Sequence, residues 1–480
     1  MIRRVKNAGL TAPNRKKYKI SNFRGVNTTV AEEVMPFGYS PKSYNYAFNR
    51  GTLEPGVGMS LGYIDINGTR RAIKKRTVNA RFKKFFRYTI HSNTTVIEKL
   101  VAYGDDGKLY DICLNDPYAA FQLIGDYGQV LDGVPYRYNN LDGLLLSTST
   151  GLYFLYNISM TRLSFSEIFT TMCTHSDRVF AVLYLDEFRL YFSDDFNPSN
   201  WNISLREGGY ITFGTEMGKL VKLISFGGEL YLFFEHGIMR MTAYNDQTDF
   251  RLNKLYLSVG TINKDTIVSC GDRIMFTSSE GVFVFDGLSV HKVLTEIEGL
   301  FSAKQESAHA VFQGGKYYLA CNLDMDSTLT SGTNSLILYD VWKNTFDIAH
   351  DIRVVSMAPL DLETVRGVLA DVNYPTDFLG VVDYSGKVDT SVTSKLWSSP
   401  VTALGVNEGK KILREMRLRA VGGGTVTAVL DGTRYSYPFA DGLNKIAVMR
   451  PFDRIGIELC SDEAQSKISE AEITVDCFGE

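Results

Sequence analysis

Helical periodicity is scarce along this chain. Apolar and polar residues instead alternate in short runs, most with an aromatic near the centre and a Gly or Asp in front. The series runs GKLYDI around Tyr110, GLYFLY around Tyr153, RLYFS around Tyr191, GELYLFF around Tyr231, GVFVFDG around Phe283, LILYD around Tyr339 and FLGVVDYSG around Val382. Other strand-like runs, such as DRVFAVLYL, DRIMFTSS and GKYYLAC, lie between them and are bounded by Gly or Asp turns. The marked runs recur every 40 to 55 residues or so, which is about the length of a four-stranded propeller blade. A solenoid needs shorter periods, and a sandwich does not repeat at all. The pattern therefore predicts an all-β fold with a β-propeller of about five to seven blades over residues 81–399. DMDSTLTSGTN, residues 324–334, reads as a long loop inserted in a blade, and such uneven spacing leaves the blade count open.

The pattern changes after Trp397. Met416, Leu418 and Ala420 alternate strictly, and the runs TVTAVL and TRYSYPF are joined by Asp431-Gly432, a strong two-residue hairpin signal. With RIGIELC and AEITVDC following, residues 400–480 are expected to form a small antiparallel β-sandwich. Residues 1–80 show no sustained period and are rich in Asn, Gly, Tyr and Pro, as in an extended arm that drapes over other surfaces. The arm aromatics Phe23, Phe37, Tyr39, Tyr44, Tyr46 and Phe48 need something to pack on.

Composition places the chain among ordinary globular proteins, with 44% apolar and 22% charged residues among 480. No apolar run is long enough to cross a bilayer, so no membrane segment is expected. MIRRVKNAGLTAP carries basic residues without the apolar core of a signal peptide, which points to synthesis in the cytoplasm. The six cysteines are scattered and read as buried free thiols. A net charge of −3 conceals a split: residues 1–90 hold 19 Lys and Arg against 4 Asp and Glu, and the remainder holds 32 against 50. A basic arm beside an acidic body suits a contact with a neighbouring subunit's acidic surface or with nucleic acid. Its densest stretch, RRAIKKRTVNARFKKFFRYTI, interleaves Arg71, Lys74, Lys75, Arg76, Arg81, Lys83, Lys84 and Arg87 with aromatics. That mixture fits a DNA or subunit contact, and equally the first strand of a blade with Phe82 and Phe86 facing inward.

Common catalytic and cofactor signatures are missing: no zincin helix, nucleophile elbow, phosphate loop or dinucleotide turn is found. His175, Ser176 and Asp177 are sequence neighbours and cannot form a triad among themselves, because successive strand residues face opposite ways. No enzymatic activity, metal or other cofactor is expected. The densest polar stretch, RLYFSDDFNPSNWN (189–202), has two chemical readings, a calcium loop and the aspartate box of sialidase-like propellers. Pro198 interrupts the ligand spacing of the first, and Trp201 falls one residue late for the second. A structural turn capped by Asp and Asn side chains fits better.

Three stretches carry a family resemblance. NFRGVNTTVAEEVMPFGYSPKSYNYAFNRGTLEPGVG resembles the N-terminal pattern of tail hub and nozzle proteins of short-tailed, podovirus-like bacteriophages, including the packaged-DNA stabilisation type. DRVFAV with RLYFSDDFNPSNWN resembles their propeller strand pair, and SSPVTALGVNEGKKILREMRLRAVGGGTVTAVLDG resembles their C-terminal sandwich. Val26-Asn27 departs from that pattern, in which a second glycine is common. The resemblance implies a virion component made in the host cytoplasm. Such a protein forms a hexameric ring below the portal and its adaptor, contacts other tail proteins, retains packaged genomic DNA and conducts it at ejection. A carbohydrate-binding or sialidase-like propeller and a cytosolic interaction scaffold are the alternative readings, since fold alone separates none of them.

Overall fold

A computed structural model describes residues 13–478, apart from 61–62, 67–68, 73–77, 92–94, 115–119, 203–207, 244–246, 259, 303–304, 363–364 and 406–408. Seven blades follow one another at residues 82–126, 130–162, 169–212, 220–257, 262–293, 309–350 and 353–392, the first six of them antiparallel throughout. Blades 1 to 6 each contain four consecutive strands. The marked aromatic runs fall one to a blade: six are third strands, whereas GELYLFF is the second strand of blade 4. The uneven intervals have two sources, that change of place and the loop 324–334, which joins the second and third strands of blade 6.

Blade 7 closes the ring with a strand from far upstream. The first five strands of the N-terminal arm are β1 (Asn14–Ile20), β2 (Ser43–Tyr44), β3 (Tyr46–Asn49), β4 (Thr52–Pro55) and β5 (Gly58–Ser60), and a separate hairpin, Tyr63–Ile66 with Thr69–Ala72, follows them. β5 pairs antiparallel with Asp377–Asp383 and so becomes the fourth strand of blade 7. Close approach explains the GVG sequence at this point. A Cβ on Gly56 would overlap the Asn45 carbonyl oxygen, and one on Gly58 would overlap that of Lys387. Blades 7 and 1 are joined through Phe82, whose N–H donates to the buried Asp371 carboxylate (2.7 Å) and whose carbonyl accepts from the Ser356 hydroxyl.

Strands β1 to β4 belong to the C-terminal sandwich. One sheet contains β3, β4, Lys467–Phe478, Lys410–Val421 and Gly442–Phe452, with β1 also pairing Lys467–Phe478. The second is ordered β2, Lys395–Ser398, Ile455–Ser461, Gly424–Leu430 and Thr433–Phe439. The strand Lys395–Ser398 already belongs to the sandwich, upstream of the boundary expected at residue 400. Alternation places Leu413, Met416, Leu418 and Ala420 in the core. Asp431 and Gly432 both take positive φ, as the two-residue hairpin requires.

The six arm aromatics singled out from the sequence pack on their own chain. Phe23 is buried edge-on against Trp397, with ring centroids 4.9 Å apart, and Tyr46 is buried in the same core, which Phe37 and Phe48 flank. Tyr44 packs toward blade 6, its ring 5.0 Å from that of His350, and the Tyr39 hydroxyl accepts from Arg24 at 2.6 Å. The basic residues of β1 are likewise satisfied within the chain: Arg15 meets Asp476 (2.8 Å), Lys17 meets Glu472 (3.2 Å) and Lys19 meets Glu470 (2.9 Å). The acidic surface that these residues meet is the last strand of their own sandwich.

Candidate functional site in the propeller channel

The first strand of each blade lines the central channel. In six of the seven, the pairing with the second strand slips near its start: after Phe82, Val130, Phe169, Leu220, Asn263 and Val354. Such bulges re-aim side chains. In five of these strands the residue before the slip is a buried apolar anchor: Phe82, Val130, Phe169, Leu220 and Val354. In blade 5 the neighbouring Ile262 takes that place. The residues that follow line a cavity of about 480 Å³. Five cations reach it, Lys83, Lys84, Arg87, Lys222 and Lys264, together with three carboxylates, Asp132, Asp265 and Glu306.

These groups differ in how they are engaged. The Asp132 carboxylate accepts the N–H groups of Gly133 (2.9 Å) and Met172 (2.7 Å), which ties blade 2 to blade 3. Lys84 donates to the Leu131 carbonyl, and Arg87 pairs with Glu98 at 2.8 Å. Lys83, Lys222, Lys264, Asp265 and Glu306 have no hydrogen bond or ion pair from their side chains among the described residues. Asp132 raises the pKa of Lys222 above its ordinary value despite burial, with Asp265 assisting, whereas burial lowers that of Lys84. Two wall atoms, Thr171 Oγ1 and His309 Nε2, are buried without a partner. Burial lowers the His309 pKa, so the ring is neutral near pH 7. Its Nδ1 lies 3.1 Å from the Ser307 carbonyl, and donation there leaves Nε2 with a free lone pair.

A second cavity, of about 550 Å³, lies among the far ends of the first strands of blades 1 to 3. It holds His91, Arg137 and Asp142, with His91 Nδ1 3.0 Å from the Asp142 carboxylate, and the 66% exposed Phe196 at its rim. Arg87 lines both cavities.

Of the basic candidates, Lys83, Lys84 and Arg87 thus come together in the channel. Arg81 is exposed and reaches the Asp377 carboxylate of blade 7 at 3.4 Å. Arg71 lies in the hairpin Tyr63–Ile66/Thr69–Ala72, and Lys74, Lys75 and Arg76 lie outside the described residues. Sequence reading missed Asp132, Lys222, Lys264 and Asp265. The signal that marks them is a buried apolar anchor at the start of six of the seven blades, followed within three positions by a polar residue.

The stretch 189–202 is a capped turn. Ser193 Oγ accepts the Val179 N–H (3.0 Å), Asn197 caps Ser199 (3.1 Å), and Arg178 pairs with Asp195 (2.7 Å). The Trp201 indole donates to the Pro198 carbonyl (2.8 Å) and stacks beside Phe165 and Phe169. No group of metal-ligating side chains occurs among the described residues.

No family model and no curated protein matches the sequence. Among solved structures, the WD40 domain of Neurospora crassa Pan2 is similar over 63% of this chain and 90% of that one, at 10% identity and a TM-score of 0.36. The extracellular domain of a hybrid two-component system from B. thetaiotaomicron is similar over 77% of this chain and 45% of that one, at 12% identity and a TM-score of 0.40. Neither likeness carries functional information.

Proposed function

We propose that this chain is a non-enzymatic structural subunit of a short-tailed bacteriophage tail. In that reading it is a hub or nozzle protein of the packaged-DNA stabilisation type, six copies of which form a ring below the portal and its adaptor. The ring retains packaged DNA and conducts it during ejection. One observation supports this most: the arm that carries the resemblance links propeller and sandwich, placing β1 to β4 in one and β5 in the other. A ring subunit under genome pressure needs a fixed geometry between its modules, and strands shared across the boundary supply it.

The charge distribution fits the same role. The acidic remainder of the chain, 32 basic against 50 acidic residues, repels phosphate and lets DNA slide, whereas each added cation strengthens retention. Ring closure calls for a head-to-tail interface between copies. Arg71, Lys74, Lys75 and Arg76 are the candidates for contacts with DNA or with the neighbouring subunit. Mass photometry and electron microscopy of the full chain, alone and with the portal–adaptor complex of the same genome, test the proposal. A six-copy ring on the adaptor is expected; a chain that stays monomeric in both samples overturns it.

A further inference from the structure

We propose that the channel cavity between the bulged first strands binds a small acidic sugar, a monosaccharide carrying a phosphate or carboxylate group. The inference is independent of the ring reading, and either can fail without the other. Three observations lead to it. The cavity, at about 480 Å³, falls within the size range of small-molecule sites and takes all its lining from the propeller. Lys83, Lys222 and Lys264 come from blades 1, 4 and 5 and converge on it with ammonium groups that form no hydrogen bond or ion pair among the described residues, although Asp132 and Asp265 act on Lys222 at longer range. Asp265 and Glu306 line the same cavity with carboxylates that form no hydrogen bond or ion pair among the described residues.

This mixture defines the ligand. Inorganic phosphate would use the lysines but meet repulsion from Asp132, Asp265 and Glu306. A neutral sugar would use the carboxylates and gain no charge-assisted bond from the lysines. A ligand with one anionic group and several hydroxyls satisfies both sets: the anion accepts from the lysines, and the hydroxyls donate to Asp265 and to Glu306. Charge-assisted hydrogen bonds in a partly enclosed cavity are the strong ones, so discrimination between these ligands is expected to be large.

The test is isothermal titration calorimetry of the full chain against glucose 6-phosphate, glucuronate, N-acetylneuraminate, glucose and inorganic phosphate. At least one acidic sugar is expected to bind about tenfold or more tightly than either glucose or phosphate, the equivalent of one charge-assisted hydrogen bond. Lys222→Gln and Lys264→Gln should each weaken it about tenfold, while Lys445→Gln, in the sandwich, should change nothing. Asp265→Asn should weaken the sugar and strengthen phosphate, a reversal of sign that general charge attraction does not give. Lys264 is exposed, so its variant keeps the test open if Lys222→Gln does not fold. The proposal is overturned if no acidic sugar binds, if phosphate or glucose binds as tightly, or if the channel variants bind like the parent protein.

Discussion

Asn45 joins three parts of the molecule through one side chain. Its Oδ1 accepts the His350 N–H (2.8 Å) from the outer strand of blade 6, and its Nδ2 donates to the Ser394 carbonyl (2.6 Å) at the entry to the sandwich. The backbone is held at φ 61°, a left-handed conformation that Asn tolerates better than most residues. Asn45→Ala leaves the buried His350 N–H unmatched and is expected to cost about 1–3 kcal/mol, read from the urea midpoint at unchanged slope. A loss below about 0.5 kcal/mol would show that the joint does not depend on it. His350, beside it, sets a pH dependence. Its Nε2 lies 3.0 Å from the Asp326 carbonyl and its Nδ1 2.8 Å from Ser335 Oγ, and burial lowers its pKa below the ordinary value. The unfolded chain therefore binds the proton more readily than the folded one. Stability from this residue is complete above about pH 6.5 and declines as pH falls from there toward the folded-state pKa. Denaturation free energies measured from pH 7.5 to 5 should fall less steeply in His350→Gln, and equal slopes would assign the acid sensitivity to other groups.

β5 shows how a three-residue strand can close a ring. It covers the edge of Asp377–Asp383 that would otherwise present unpaired backbone groups, and it brings Val57 and Met59 into the core shared with Val368, Ala370 and Val372. Gly58 lies so close to Lys387 that a methyl group must displace one strand or the other. Gly58→Ala is expected to destabilise by about 1–3 kcal/mol and to speed amide exchange across residues 377–383 while leaving blade 3 unchanged. Uniform acceleration would mean that closure is not a local event. Elements differ in how far they can be read from sequence. Third strands such as Gly151–Tyr156 and Gly281–Phe285 show plainly, since a glycine turn and an alternating run are both local signals. The hairpin at Asp431-Gly432 is legible for the same reason. Blade 4 misleads because its second and third strands both follow a glycine, and only pairing partners tell them apart. β5 is not legible as a blade strand, since nothing local specifies a partner more than 300 residues away. The channel residues are hidden likewise: Lys222 and Asp132 become neighbours only when the inner strands converge.

At the scale of the whole molecule, the question is what holds the arm against its own sandwich. Charge is the obvious answer from the sequence, where the N-terminal excess of Lys and Arg faces an acidic remainder. The geometry favours a different one. Lys17 and Lys19 are about half exposed, and surface pairs of that kind contribute little and weaken with salt. Asp476 is better placed: it is nearly buried, and hydrogen bonds from Arg15 and Arg414 hold its carboxyl below the usual carboxylate range despite the opposing cost of burial. Apolar burial contributes more than either. Ile20, Phe23, Tyr46 and Leu53 from the arm are buried in one core with Trp397, Leu413 and Ile473 from the sandwich, and β1 adds a continuous ladder along Lys467–Phe478. Phe23→Ala removes the ring that packs on Trp397 and should cost about 3–5 kcal/mol. Raising NaCl from 0.1 to 1 M should cost less than about 1 kcal/mol. Because strands from the arm are shared by sandwich and blade 7, Phe23→Ala should lower a single calorimetric transition. Two separated transitions, or an arm released by salt alone, would show that charge holds the modules together and that propeller and sandwich unfold independently.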